Sequence, residues 1–150
     1  MLENVRHPFL ADLAEPHRRF LDGCGHKVRF AAGEFLFREG APADRLLLLL
    51  SGRVALELVV PGRGPVQMES LGPGDLVGLS WLFPPERWQL DARAVEPVDA
   101  VAFDGACLRA KMDADHDLGY ALARHLLAQV YERLQRVRLQ RLDLYRAEAR

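Results

Sequence analysis

The chain has 150 residues, 20 Lys and Arg against 21 Asp and Glu, and a net charge of −1. That length suits about one domain with a sizeable core. The charge excludes a global basic footprint of the kind that holds nucleic acid or an anionic membrane. The balance hides an asymmetry, because Arg133, Arg136, Arg138, Arg141, Arg146 and Arg150 crowd the C-terminal end against Asp143 and Glu148. Two readings stand for that cluster: a solvated helix face, or a docking surface for an acidic partner protein. Cys24 and Cys107 lie far apart and show no metal-ligand spacing, and two thiols suit a reducing cytosol. The start, MLENVRHPFL, lacks a signal pattern, and the apolar run 46–50 is far too short to span a bilayer. A soluble, cytoplasmic protein with no membrane contact is expected.

Phe9, Leu10, Leu13, Phe20 and Leu21 recur at mixed three- and four-residue steps, which predicts a short amphipathic helix over 8–21. Pro16 marks a break in it or a division into two short turns. Asp22-Gly23-Cys24-Gly25 ends it. From 27 to 103 the pattern is all-β, with short apolar or alternating runs at Val28 and Phe30, Phe35 and Phe37, 46–50, and Val54 to Val60. Glycine- and proline-rich turns punctuate them about every ten residues, which predicts a sandwich or jelly-roll β-barrel. Val98, Val101 and Phe103 belong to the last strand, with Pro97 at an edge or bulge.

The rest is helical: a short helix over 106–112, a charged turn through Asp113, Asp115 and Asp117, and a long helix for which Asp117 is the expected N-cap. Along it Tyr120, Ala123, Leu127, Val130, Leu134, Val137, Arg141 and Leu144 repeat at three- and four-residue steps. That seam predicts a parallel homodimer, with Leu127, Val130, Leu134, Val137 and Leu144 at the interface. A second stripe, Leu118, Leu122 and Leu126, is expected to face the barrel. The whole reads as a single domain over 1–150, with an N-terminal helix in 1–26, a jelly roll in 27–103 and helices in 104–150.

The chemistry concentrates in 71–94, LGPGDLVGLSWLFPPERWQLDARA. A Pro-Gly-Asp turn leads into a short strand and Gly78, and then into a short helical piece capped by Ser80. Backbone N–H groups converging after a glycine are the pattern of an anion site. Trp81 and Trp88 bracket the segment, either as packing or as a stacking platform for a flat ligand. The five histidines, His7, His17, His26, His116 and His125, lack the close pairing that a metal site on a strand needs, so no metal is expected. Asp113, Asp115 and Asp117 alternate like a calcium loop without its glycine and distal glutamate. No nucleophile sits beside a base, and no P-loop or dinucleotide fingerprint occurs. Neither an enzyme nor a cofactor is expected.

The runs GEFLFREGAPADRLLLLLSGRVAL, LGPGDLVG and DARAVEPVDAVAF, with glycines at 33, 40, 52, 74 and 78, resemble the cyclic nucleotide-binding domain. The resemblance is to the sensor half of the bacterial catabolite activator protein family. It implies a mainly β jelly roll with flanking helices and a long dimerisation helix. It also implies a phosphate-binding cassette over 78–94, in which Gly78 matches the leading glycine. Leu79 stands where the family has a glutamate for the ribose hydroxyl. Arg87 approximately matches the phosphate-binding arginine, although a gapless fit places Trp88 there. Such an arginine contact is worth about 1.5–3 kcal/mol, and losing the ribose acceptor costs roughly tenfold to a hundredfold in affinity. Gln89 and Asp91 follow on the next strand, where Asp91 is expected to pair with Arg87 if both face the pocket. In the family the base also touches the long helix, which brings in Gln129 and Arg133; a solvated helix face explains these two equally well. The implied ligand set is therefore Gly78, Leu79, Ser80, Trp81, Arg87, Trp88, Gln89, Gln129 and Arg133.

In the family's transcription factors a winged helix-turn-helix follows the long helix. This sequence stops at Arg150, so no sequence-specific DNA reading of its own is expected. Two functions stand. One is a sensor for a cyclic nucleotide or related phosphate-bearing ligand, signalling through the dimer helix to a regulatory partner. The other is an interaction adaptor whose pocket has closed.

Overall fold

The computed structural model describes residues 2–148; Arg150, counted above with the C-terminal arginines, lies outside them. Eight strands form two antiparallel four-stranded sheets. They are β1 (Gly25–Phe30), β2 (Phe35–Phe37), β3 (Arg45–Ser51), β4 (Val54–Val60), β5 (Gly64–Leu71), β6 (Leu76–Val77), β7 (Asp91–Ala94) and β8 (Val98–Asp104). One sheet has the order β1-β8-β3-β6 and the other β2-β7-β4-β5. Pro97 sits in the link between β7 and β8, not inside a strand.

The leucine run on β3 explains why the sheets sit as they do. Leu47 and Leu49 point between the sheets, against Val54, Leu56, Val77, Ala92 and Ala100. Leu46 and Leu48 point the other way, into a second cluster built with the helices. A strand buried on both faces reads as a continuous apolar run, because neither side meets water. All four of these leucines are at most 1% exposed.

Four α-helices cover that outer face: α1 (Pro8–Ala11), α2 (Glu15–Leu21), α3 (Gly105–Ala114) and α4 (His116–Glu148). The proline at 16 falls at the start of α2, where its missing N–H costs nothing, so the N-terminal segment forms two short helices. Leu10, Leu13, Leu21, Leu108, Leu118, Leu122 and Leu126 share the outer cluster, and the stripe expected to face the barrel does so. The N-cap differs from expectation. The Asp115 carboxylate accepts from the backbone N–H of Asp117 and Leu118, so Asp115 closes the first turn of α4 in place of Asp117.

Cys24 and Cys107 form a disulfide, which corrects the expectation of two thiols. The cause is strand register. Gly25 pairs with Phe103, so the residue before β1 arrives beside the first turn of α3. The bond closes 83 residues of chain. Cys24→Ser, or reduction of the wild type, is expected to lower unfolding stability by about 2–4 kcal/mol, read from urea unfolding with and without dithiothreitol.

His7 ties the N-terminal segment to the barrel. Its Nδ1 accepts from Phe9 N–H and caps α1, and its Nε2 donates to the Asp75 carbonyl at 3.0 Å. Burial pushes the imidazole below its usual 6.5, against the opposing pull of the Asp75 carbonyl and charge. Between the lowered folded value and 6.5 the unfolded chain binds the extra proton, so stability rises with pH across that window. Urea stability should therefore be full above the unfolded value of 6.5 and fall as pH drops below it. His7→Gln should flatten that part of the profile.

Candidate functional site

The site is built on the turn from Gly72 to Asp75. The Asp75 carboxylate accepts from Gly72 N–H at 2.9 Å. Leu49 N–H donates to the Asp75 carbonyl and Gly74 N–H to the Leu49 carbonyl, which laces the turn onto β3. β6 then pairs with β3 for two residues and ends at Gly78, whose φ is +97°. A Cβ there would lie 2.8 Å from the Trp88 ring. Both the backbone angle and the ring thus require glycine.

Beyond Gly78 a short 3-10 turn spans Ser80–Leu82. Leu79 occupies its N-cap position with no side-chain cap bond, so Ser80 does not cap it. Trp81 is 1% exposed, and its indole N–H donates to the Gly78 carbonyl at 2.9 Å. Arg109 on α3 donates to the Trp81 carbonyl and pairs with Glu86 at 2.9 Å. Trp81 is therefore core and not a stacking platform. Trp88 lies flat on Phe37 with ring centroids 3.8 Å apart.

Arg87 does not turn inward. It is exposed on the surface and donates to the Gly40 carbonyl at 2.8 Å. The antiparallel bridge between Arg87 and Pro42, with Trp88 N–H bonded to the Ala41 carbonyl, fixes that orientation. Asp91 does not pair with it. The Asp91 carboxylate accepts from Glu39 N–H at 2.7 Å and lies 3.6 Å from Arg38.

A cavity of about 380 Å³ remains between this segment and α4. Gly78, Leu79, Ser80, Trp88 and Gln89 line one wall, with Phe37, Leu56, Glu69, Val77 and Leu90 around them. Val130, Arg133, Leu134 and Val137 of α4 form the opposite wall. Gln129 faces a different depression, beside Pro8, Gly74 and Arg136. Of the nine ligand residues expected from sequence, the structure brings together Gly78, Leu79, Ser80, Trp88, Gln89 and Arg133. It places Trp81, Arg87 and Gln129 elsewhere.

Arg133 is the cation in this lining, and it is occupied. Its Nε and Nη2 donate to both oxygens of Glu69, at 2.9 and 3.0 Å, and its Nη1 lies 3.3 Å from the Leu76 carbonyl. One turn along, Arg136 pairs with Asp75 at 3.1 Å. Together the two arginines clasp α4 to the barrel. Glu69 escaped the sequence reading, although a signal existed. It shares strand parity with the fully buried Leu71 and pairs directly with Leu56, so it belongs to the inner face. The expected dimer residues Leu127, Val130, Leu134, Val137 and Leu144 are all exposed, at 68, 40, 45, 38 and 65%. Among the described residues no cluster of His, Cys, Asp and Glu that could hold a metal occurs, and no helix is long and apolar enough to cross a membrane.

A jelly roll whose glycine-led segment faces a long helix across a cavity is the architecture these residues build. Residues 27–115 match the family described as the cyclic nucleotide-binding domain, and the chain belongs to that family. A CRP-like cAMP-activated global transcriptional regulator of Mycobacterium tuberculosis is 31% identical over 117 residues, 78% of this chain. Those residues make up 50% of that protein, so the chain spans about half the length of the curated relatives it matches. A crystal structure from Geobacter metallireducens, described as a candidate cyclic nucleotide-binding protein, has a TM-score of 0.77 at 31% identity, covering 85% of this chain and 92% of that one. The Catabolite Activator Protein of Thermus thermophilus has a TM-score of 0.69 at 25% identity, covering 92% and 62%.

Gly78→Ala combines a left-handed backbone angle with a contact at 2.8 Å. It is expected to lower stability by about 2 kcal/mol in urea unfolding. Gly33→Ala provides the comparison, because its positive φ comes with no neighbour within 4 Å, and it should cost less.

Proposed function

We propose that this domain senses a small molecule bound between the 77–90 segment and α4, and that it acts as a parallel homodimer through α4. The observation that carries the reading is the cavity's two-sided wall. Residues of the barrel segment and residues of the long helix line the same space, so a ligand there touches both. A ligand moves such a system only if it binds one arrangement of helix and barrel more tightly than another. The open volume supports a sensor over the closed adaptor, even though Trp88 is buried.

The exposed seam supports the dimer. Leu127 and Leu144 leave apolar side chains in water at heptad spacing, and a second α4 would cover them. The ligand signal then passes along α4 toward the arginine-rich end and to a regulatory partner of acidic character. No enzymatic step is assigned to the domain. Its place is the cytoplasm, where disulfides are transient or redox-sensing, and the Cys24–Cys107 bond is read there as a reversible link.

Cyclic AMP, which figures in the name of the Mycobacterium relative, is the first compound to titrate. With Leu79 at the ribose position and Arg87 turned away, its affinity should fall at least tenfold to a hundredfold below that of a cassette carrying both groups. Sedimentation equilibrium tests the dimer and its coupling together. Wild type should be dimeric, and Leu127→Glu, outside the cavity, should be monomeric with unchanged helicity. Filling the cavity with Ser80→Trp should shift the dimerisation constant several-fold. A constant indifferent to that substitution removes the coupling, and a monomeric wild type removes the dimer.

A further inference from the structure

The charge layout of the cavity has a consequence for the class of ligand it takes. An anion needs an available cation or converging N–H groups. Arg87 spends its guanidinium on the Gly40 carbonyl at the surface. Arg133 presents both of its edges to Glu69 and Leu76. Side-chain exposures of 16% for Arg133 and 21% for Glu69 keep that pair largely out of bulk water, where screening would otherwise weaken it. The 3-10 turn after Leu79 is three residues long, closed by Leu82 N–H on the Leu79 carbonyl and Phe83 N–H on the Ser80 carbonyl, too short to sum its peptide dipoles into the positive terminus of a full helix. An entering anion would meet the Glu69 carboxylate, and to reach Arg133 it would have to leave that carboxylate unpaired. The remaining surface is mostly carbon, from Phe37, Leu56, Val77, Leu79, Leu90 and Val130. A volume of about 380 Å³ falls within the range of small-molecule pockets.

We infer that the cavity takes an uncharged, predominantly apolar small molecule of two or three rings in size, and that Glu69 is the residue that sets this preference by neutralising Arg133. The inference rests on the reading of this cavity as the ligand seat. Phe37 and Trp88, already stacked, give the pocket a flat aromatic rim. Ser80 and Gln89 supply the few polar groups that orient a bound molecule.

A matched pair of fluorescent probes tests it. N-phenylnaphthylamine is neutral, and anilinonaphthalene sulfonate carries the same rings with one negative charge. Wild type is expected to bind the neutral probe at least tenfold more tightly. Glu69→Gln should move the ratio of the two affinities at least tenfold toward the sulfonate, because Arg133 is released. Ser80→Trp, with folding checked by thermal unfolding, should remove binding of both. A wild type that prefers the sulfonate, or a ratio unmoved by Glu69→Gln, overturns the inference while leaving the seat in place. Probe binding that survives Ser80→Trp overturns the seat itself, and failure of the neutral probe to bind wild type overturns the inference. A second measurement needs no variant. Cyclic AMP should displace the neutral probe only at concentrations well above the probe's own dissociation constant; displacement below it overturns the apolar preference.

Discussion

The packing of the Trp88 ring over the bare Cα of Gly78 is the constraint on which the site depends. Gly78 holds φ at +97°, and no side chain fits between it and the ring. That contact lets the chain leave β6, form the Ser80–Leu82 turn and return at Trp88 without filling the space in front of α4. Trp81 locks the same point from below through its bond to the Gly78 carbonyl, and Gly105 makes room for Trp81 at the start of α3. Two tryptophans and two glycines therefore hold the back wall of the cavity in place.

The helix opposite is held in two unequal ways. Its first half buries Leu118, Leu122 and Leu126, each at most 4% exposed, and each such side chain contributes about 1.5–3 kcal/mol. From Val130 onward none of the α4 residues whose burial is described is buried, and the clasp of Arg133 on Glu69 and Arg136 on Asp75 takes over. The second pair is half open, with Arg136 at 49% side-chain exposure, and pairs of that kind contribute little. The base of α4 is thus fixed by dispersion and burial, while its distal half rests on electrostatics. Of the two halves, the distal one is the less costly to displace. The cavity opens against that half.

How much of this was legible follows from range. The leucine run of β3, the amphipathic start of α4 and the glycine at 78 are local patterns with one physical meaning each, and all were readable. The disulfide was not, because Cys24 and Cys107 meet only through the register of β1 on β8. Asp115 took the capping role from Asp117 because its carboxylate reaches the N–H groups of both Asp117 and Leu118. Arg87 was legible as a residue type but not in its direction, since the bridge to Pro42 turns the backbone and sends the guanidinium outward. Trp81 was placed between two readings by composition, and the burial that decides between them comes from α3. Glu69 was hidden by a bulge in the β4–β5 pairing at Leu56 and Glu57, which breaks the alternation of that hairpin.

Glu69 also shows how the proposed change of ligand chemistry fits inside the family frame. In a phosphate-reading pocket the ligand carries the negative charge, and the protein carries the cation. Here the protein carries both, so the charge balance of the cavity is complete before anything enters. A ligand then adds no ion pair, and its effect on α4 has to come through the shape and area it offers to Val130, Leu134 and Val137. Those residues are 40, 45 and 38% exposed and lie on the seam proposed for the partner helix. A molecule filling the cavity and a second copy of α4 therefore bear on the same side chains. That shared contact is what the proposed coupling of occupancy to assembly would act through, and it needs no charge to be moved.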